Sequence, residues 1–386
     1  MISRKRFLIF LIIPLFLISF SKYCYSRDRA NIRVCVASGK DRVLLRIKGP
    51  YKIESINSEL TLDKGRALKS EYIAPTNSGL KLGDREFKIY GIRIIPKKDA
   101  AIFIDKNRFR GIVHIIRTEQ LKLLVVNHLD IEKYLYGVLY HEVPCHWPME
   151  ALKAQAIAAR TFALYRIENM RDRDYDVTSD IYSQVYGGIL SERRRTKKAV
   201  NLTRGKVLTY NGNIIPAYYH AMCGGHTESA KDIFGIDLPS LGGKACRYCK
   251  GAPHMYWKRK LSYRQVQGYL DKYGINVKGL KHIETGKRNK SGRIESIKVK
   301  DSKGAKEIKG YKFRLALGPN AIKSTNFTAK ITPKGVIFRG KGWGHGVGMC
   351  QWGVFGMAKR RFNHREILEF YYPLANIEKY DEVIGF

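Results

Sequence analysis

Acidic residues are scarce in this 386-residue chain: Asp and Glu number 34 against 71 Lys and Arg, a formal net charge of +37. That imbalance attracts any polyanion, whether nucleic acid, anionic lipid or an acidic wall polymer. Other absences exclude more. No helix-turn-helix, RRM or zinc-finger pattern accompanies the charge, and the basic residues are spread along the chain, so sequence-specific nucleic-acid readout has no support. There is no Gly-Lys-Ser/Thr phosphate loop, no low-complexity linker, no internal repeat and no βαβ alternation. A membrane span needs about 20 apolar residues, and past residue 20 no run approaches that length.

The first residues are informative. Arg4, Lys5 and Arg6 precede an apolar run from Phe7 to Phe20, and a basic head before a short apolar body reads as an export signal. No A-x-A motif marks cleavage, Ser26 followed by Arg27 is the best site, and Cys24 lacks a lipobox. Residues 1–26 are therefore a signal peptide or an uncleaved membrane anchor. Both outcomes place the remainder outside the membrane, in the cell envelope. Seven cysteines are present (Cys24, Cys35, Cys145, Cys223, Cys246, Cys249 and Cys350), and export would favour disulfides.

Residues 27–130 alternate like strands, as in IRVCVA at 32–37, RVLLRI at 42–47 and LKLLVV at 121–126, with turn residues at 77–79 and at Gly83 and Asp84. The texture changes near Asp130. Ile131, Leu135, Val138 and Leu139 fall at helical spacing. Pro148 suits the first turn of a second helix over about 150–168, where Leu152, Ala156, Ala159 and Ala163 make a small-residue stripe for close packing. A basic helix is expected from Ser191 to Arg204, closed by Gly205. Capping boxes open helices at Ser262 with Gln265 and at Asn363 with Glu366. Strands are expected at 207–210, 216–222, 295–300 and 335–340. The fold class is α+β: a β-rich segment, 27–130, then a mixed region, 131–386, built on a central alanine-rich helix.

Metal-type spacing appears once. His220-x2-Cys223-x2-His226 is followed by Cys246-x2-Cys249-x4-His254, which matches structural zinc sites. Three cysteines and one histidine would close a tetrahedron, and spacing does not choose among His220, His226 and His254. A closed site has no open position for water, so such a zinc would be structural. The competing arrangement is one disulfide, such as Cys223 to Cys246, with spare histidines.

Four stretches in order, YLYGVLYHEVPCHWPMEALKAQAIAARTFAL (134–164), SQVYGG (183–188), AYYHAMCGGHTESAKDIFG (217–235) and GKGWGHGVGMCQWGVFGMA (340–358), resemble the SpoIID/LytB family. The lead-in runs RFRGIV (108–113) and NHLDIEKYL (127–135) do so as well. Val143 replaces a usual Met, and Cys350 stands where Ser is common. The resemblance implies a peptidoglycan lytic transglycosylase of cell-wall remodelling or sporulation, acting on glycan strands stripped of stem peptides. Glu142 falls on the family's catalytic glutamate. Ordinary glycosidases pair two carboxyls, whereas the implied chemistry uses one, as acid and then as base, to leave a 1,6-anhydro-muramyl end. The alternative implied by the same family is a non-catalytic enhancer of a cell-wall amidase. Lys153 and Arg160, about two turns apart on one helix face, match its motif as binders of the muramic carboxylate or as partners that hold Glu142. A cation beside Glu142 would lower its pKa and oppose an acid role. His345 and Gln351 in the glycine-rich loop are candidate hydrogen-bonding groups for glycan, as are Gln184 and Tyr186, while Trp343 and Trp352 offer faces for sugars. Zinc also occurs in some members.

Overall fold

A computed structural model describes residues 31–383 except 59, 99, 170–173, 181–182, 254 and 303. The expected signal or anchor, Cys24 and His254 lie outside the described residues. The structure has the expected α+β character, with a β-rich first part followed by helices.

The first part is organised around one eleven-stranded, almost wholly antiparallel sheet among the described residues. Its alternation produces the pairing. Ile32 and Val34 on Asn31–Lys40 are fully buried, and that strand runs against Leu123–Asp130. Val43–Ser55 and Thr61–Pro75 form a long hairpin with register shifts. The turn residues lie where expected, with Thr76 bonding Gly79 and Gly83 at φ +58° between two short strands.

Asp130 ends the last long strand and caps the next helix, its carboxylate accepting the N–H groups of Glu132 and Lys133. That helix, Ile131–Glu142, buries Tyr134, Leu135, Val138 and Leu139. The alanine-rich helix Met149–Asn169 is the centre of the molecule, with Ala151, Ala154, Ala156, Ala158, Ala159 and Ala163 all fully buried. Small side chains let neighbours approach closely, including Gln351–Lys359, His364–Tyr371, Arg194–Leu202 and Lys206–Tyr210. The expected basic helix begins at Arg194, after a 3-10 turn over Gly188–Ser191, and buries Ala199 and Val200. The strand expected over 216–222 shrinks to Tyr219–His220, because Tyr218 folds back on Pro216 and Met222 pairs with Trp343.

Arg160 is completely buried in this core. Its Nε and Nη2 donate to Glu132 at 2.9 and 2.6 Å, and its guanidinium also reaches the carbonyls of Val200 and Lys206. Glu132 further accepts the Gly205 N–H. One ion pair thus ties two helices, a third helix and a strand.

The hydrophobic cores do not divide at Asp130. One core joins residues from Ile32 to Tyr380, and a second is built entirely from Trp257 to Phe338. The second unit holds two three-stranded sheets. It leaves and rejoins the rest through adjacent antiparallel strands, Tyr256–Leu261 and Gly335–Lys341. Both capping boxes are formed as expected.

Breaking the buried pair leaves an uncompensated charge, at a cost of about 3–5 kcal/mol. Glu132→Ala is expected to lose that much stability in denaturant titration, and a loss under about 1 kcal/mol would show that the pair is not a structural tie.

Candidate active site and cysteine cluster

Glu142 is the last residue of its helix, and Val143 then turns extended at φ −140° with its N–H on Leu139. The carboxyl therefore projects from a helix end. Gln351 Nε2 donates to Glu142 Oε2 at 3.3 Å, and the Tyr219 hydroxyl also hydrogen-bonds the carboxyl. Burial pushes the Glu142 pKa up to about 7, although both hydrogen bonds pull the other way.

Tyr219 is held from behind. Gln184 Nε2 donates to its oxygen at 2.8 Å and to the Ala159 carbonyl at 3.2 Å, while Gln184 Oε1 accepts from Tyr134 at 3.1 Å. Accepting from Gln184 leaves the Tyr219 proton for Glu142. Tyr186 packs its ring 5.2 Å from that of Tyr134 and donates to Asn127. Gly137 is required here, since a Cβ would sit 2.6 Å from the Tyr186 ring. Gln184 and Tyr186 are thus buried supports of the site.

Gln351 also lies 3.4 Å from Gln155 Oε1. Gln155 is fully buried, and its Nε2 has no hydrogen-bond partner. Gln155 and Tyr219 did not emerge from sequence reasoning. A lone amide in an alanine-rich helix is the signal that marks Gln155, whereas Tyr219 carries no local signal.

The two helix cations are elsewhere. Arg160 is bonded to Glu132 and fully buried, which removes it as a substrate contact and as a partner of Glu142. Lys153 donates to Glu150 at 2.7 Å, and Glu150 also takes the N–H and Nδ1 of His364. Lys153 keeps partial exposure. Among the described residues no cation acts on the Glu142 carboxyl, so its raised pKa stands.

The glycine-rich loop brings Gln351 to this point. Gly342, Gly344, Gly346 and Gly348 all have positive φ, and a Cβ at Gly348 would strike the Tyr218 carbonyl. Strand pairing of Tyr219 with Met349 and of His220 with Cys350 fixes the loop against the core. His345 accepts the Val347 N–H on Nδ1 and packs edge-on to Tyr218, His220 and Phe234. Burial lowers its pKa to about 3, so it is neutral. Trp352 packs on Trp147 and Phe355, and Lys323 lies over the Trp343 ring.

The metal expectation is corrected in its fourth ligand. Cys223, Cys246 and Cys249 meet Cys350, all buried, with their four sulfurs within 4.8 Å of one another. All four are free thiols, so the alternative Cys223–Cys246 bridge is not formed. His220 instead turns Nδ1 to the Val347 carbonyl, and His226 turns Nδ1 to Thr227. The sulfurs receive N–H groups from Cys223, Gly225 and Gly353 and a contact from the Tyr371 hydroxyl. Such donors stabilise thiolates and orient metal ligands. The group can hold a metal ion in a closed tetrahedron. Cys350 also caps the helix that begins at Gln351, so the cluster anchors the residue that touches Glu142.

The purified chain is expected to carry about one metal ion, the content of a closed four-ligand site, by elemental analysis. Cys350→Ser should release it and lower the melting temperature, whereas His226→Ala should leave the metal content unchanged. Equal loss in both variants would restore a histidine to the ligand set.

The family profile described as Stage II sporulation protein, SpoIID, matches residues 119–210, and a profile for a domain of unknown function, DUF8618, matches residues 249–348. An uncharacterised protein of Brachyspira hyodysenteriae is 38% identical over 353 residues, covering 91% of this chain and 94% of that protein. The amidase enhancer of Bacillus subtilis is 29% identical over 80% of this chain and 50% of its own length, so the chain spans half of that relative. Stage II sporulation protein D of Bacillus subtilis is 27% identical over 67% of this chain and 78% of its own.

Proposed function

The chain belongs to the SpoIID family, and from that premise we propose that it is an exported lytic transglycosylase that cleaves peptidoglycan glycan strands with Glu142. The observation that carries the reading is a carboxyl raised to about 7 by burial, with a hydroxyl and an amide as its partners and no cation among the described residues. Neutral Glu142 donates its proton to the glycosidic oxygen as the bond from the muramic C1 breaks. The carboxylate left behind is stabilised by the Tyr219 and Gln351 hydrogen bonds. It then removes the proton of the C6 hydroxyl as that oxygen closes on C1, giving the 1,6-anhydro ring and restoring neutral Glu142. A hydrolase would need a second free carboxylate to activate water, and two acids on the central helices, Glu132 and Glu150, are engaged by Arg160 and by Lys153 with His364. We assign Lys153, partly exposed and paired with Glu150, to the muramic carboxylate, which would displace that partner.

Zinc is the ion that four thiolates suit, and its role is structural, setting the start of the Gln351 helix. The N-terminal run directs the chain to the envelope as a cleaved signal or as a membrane anchor, for wall remodelling or sporulation. A second reading, favoured by the likeness to an amidase enhancer, is stimulation of a partner amidase without chemistry.

Incubation with glycan strands, bare and peptide-bearing, followed by mass spectrometry, is expected to yield anhydro ends from the native chain. Glu142→Gln should reduce them by about 10²–10⁴-fold or more. Hydrated reducing ends would indicate a hydrolase, and no cleavage of either substrate would favour the enhancer role.

The bond-breaking step needs protonated Glu142, so kcat/KM should be held below about pH 7 and fall as pH rises through it. Gln351→Ala removes a donor that favours the carboxylate, so the descending limb should move to higher pH. A limb that stays or moves down would show that Gln351 does not act on this carboxyl.

A further inference from the structure

The second unit carries a surface unlike the rest of the molecule. No Asp or Glu occurs between Glu307 and Glu366, a stretch that supplies two strands of the sheet Tyr256–Leu261, Gly335–Lys341 and Phe327–Thr332. Register assigns the faces. Trp257, Leu261, Val336, Phe338 and Phe327 point into the second core. The opposite face presents Lys258, Lys260, Lys330, Arg339 and Lys341. Lys258 lies directly opposite Arg339, and Lys260 and Lys330 flank Ile337.

Neighbouring strands are about 4.8 Å apart, and like charges set opposite one another destabilise a sheet. Elsewhere on a sheet an acid relieves such crowding: Glu54 takes Lys52 and Arg93. None of the five cations forms an ion pair among the described residues, so their mutual repulsion goes unanswered. At the end of this face lies an open groove of about 720 Å³, lined by Tyr256, Lys258, Arg288, Thr328, Arg339 and Lys341 among others. Tyr256 is 77% exposed, opposite Lys341. A flat aromatic ring among regularly spaced cations suits a polymer with sugar faces and repeated negative charge.

The chain connects this groove to the acid. Lys341 leads into Gly342, whose loop runs on to Gln351 and so to Glu142. Arg293 of the same unit is fully buried against the loop, donating to the carbonyls of Cys223 and His226. We propose that this basic face is a second, non-catalytic binding surface for the glycan strand, an anionic sugar polymer bearing lactyl carboxylates at regular intervals. The assignment of the sugar rests on the glycan-cleaving reading. The charge pattern does not.

The test uses the full chain carrying Glu142→Gln, so that strands are bound and not cut, with and without Lys258→Gln, Lys330→Gln and Arg339→Gln together. Probes are peptide-free glycan strands with intact lactyl carboxylates, the same strands with those carboxylates amidated, and a polyol-phosphate wall polymer. The triple substitution is expected to weaken binding roughly tenfold, the combined loss of three exposed charge contacts, and to flatten the salt dependence. Binding is expected to fall when the lactyl carboxylates are amidated, and a preference for the polyol phosphate over the glycan strand would overturn the proposal. Melting temperature should be unchanged or higher in the triple variant, because repulsion is removed. Unchanged binding to both polymers, or a lower melting temperature, would overturn the proposal. So would tighter binding of duplex DNA or anionic lipid vesicles than of either polymer. Charge-dependent binding by a chain that cuts no strand would sink the transglycosylase reading and leave this surface standing.

Discussion

The buried pair between Glu132 and Arg160 is the constraint on which the site's electrostatics depend. A guanidinium two turns along the central helix would lower the pKa of any carboxyl it reached. Bound to Glu132, and through it to the Gly205 N–H, it instead fixes the spacing of the helices around Glu142. Glu150 does the same for Lys153. Arg160 and Lys153 are thus matched locally, and among the described residues Glu142 is left with uncharged donors only.

That separation explains the division of roles around the carboxyl. Its hydrogen bonds are few, and they come from groups themselves held in place: Tyr219 by Gln184, Gln351 by the helix start at Cys350. Two distant stretches meet at this point because one short parallel pairing, His220 with Cys350, aligns them. The cysteine cluster and the acid are consequently parts of one construction, the first setting the register that the second needs.

Local signals were readable in the sequence. The helices at 131–142 and 149–169, the capping boxes at Ser262 and Asn363 and the turns near Asn77 and Gly83 depend on neighbours a few residues away. Glu142 was visible through its motif. Contacts between distant residues were not. Cys350 lies about a hundred residues past the other three thiols, in a glycine-rich loop without Cys-x-x-Cys spacing, so the histidines beside Cys223 were the nearer choice. Arg160 read as an available cation because Glu132 sits on a different helix. The second unit stayed hidden because its strands and helices have the same texture as their surroundings. The pairing of Tyr256–Leu261 with Gly335–Lys341 marks where it begins and ends.

That pairing has an evolutionary corollary. An excursion whose two ends sit one strand spacing apart, about 4.8 Å, asks nothing of its host's geometry. A short hairpin turn would join the same two points, and lengthening the connection changes the closure entropy only slowly. Such a module is modular in heredity as well as in space: it can be acquired, exchanged or deleted in one event while the host's fold is retained. What ties this one down is the reach of Arg293 to the Cys223 and His226 carbonyls and of Asn289 and Ser291 to Glu228, the points where an ornament has become part of the frame.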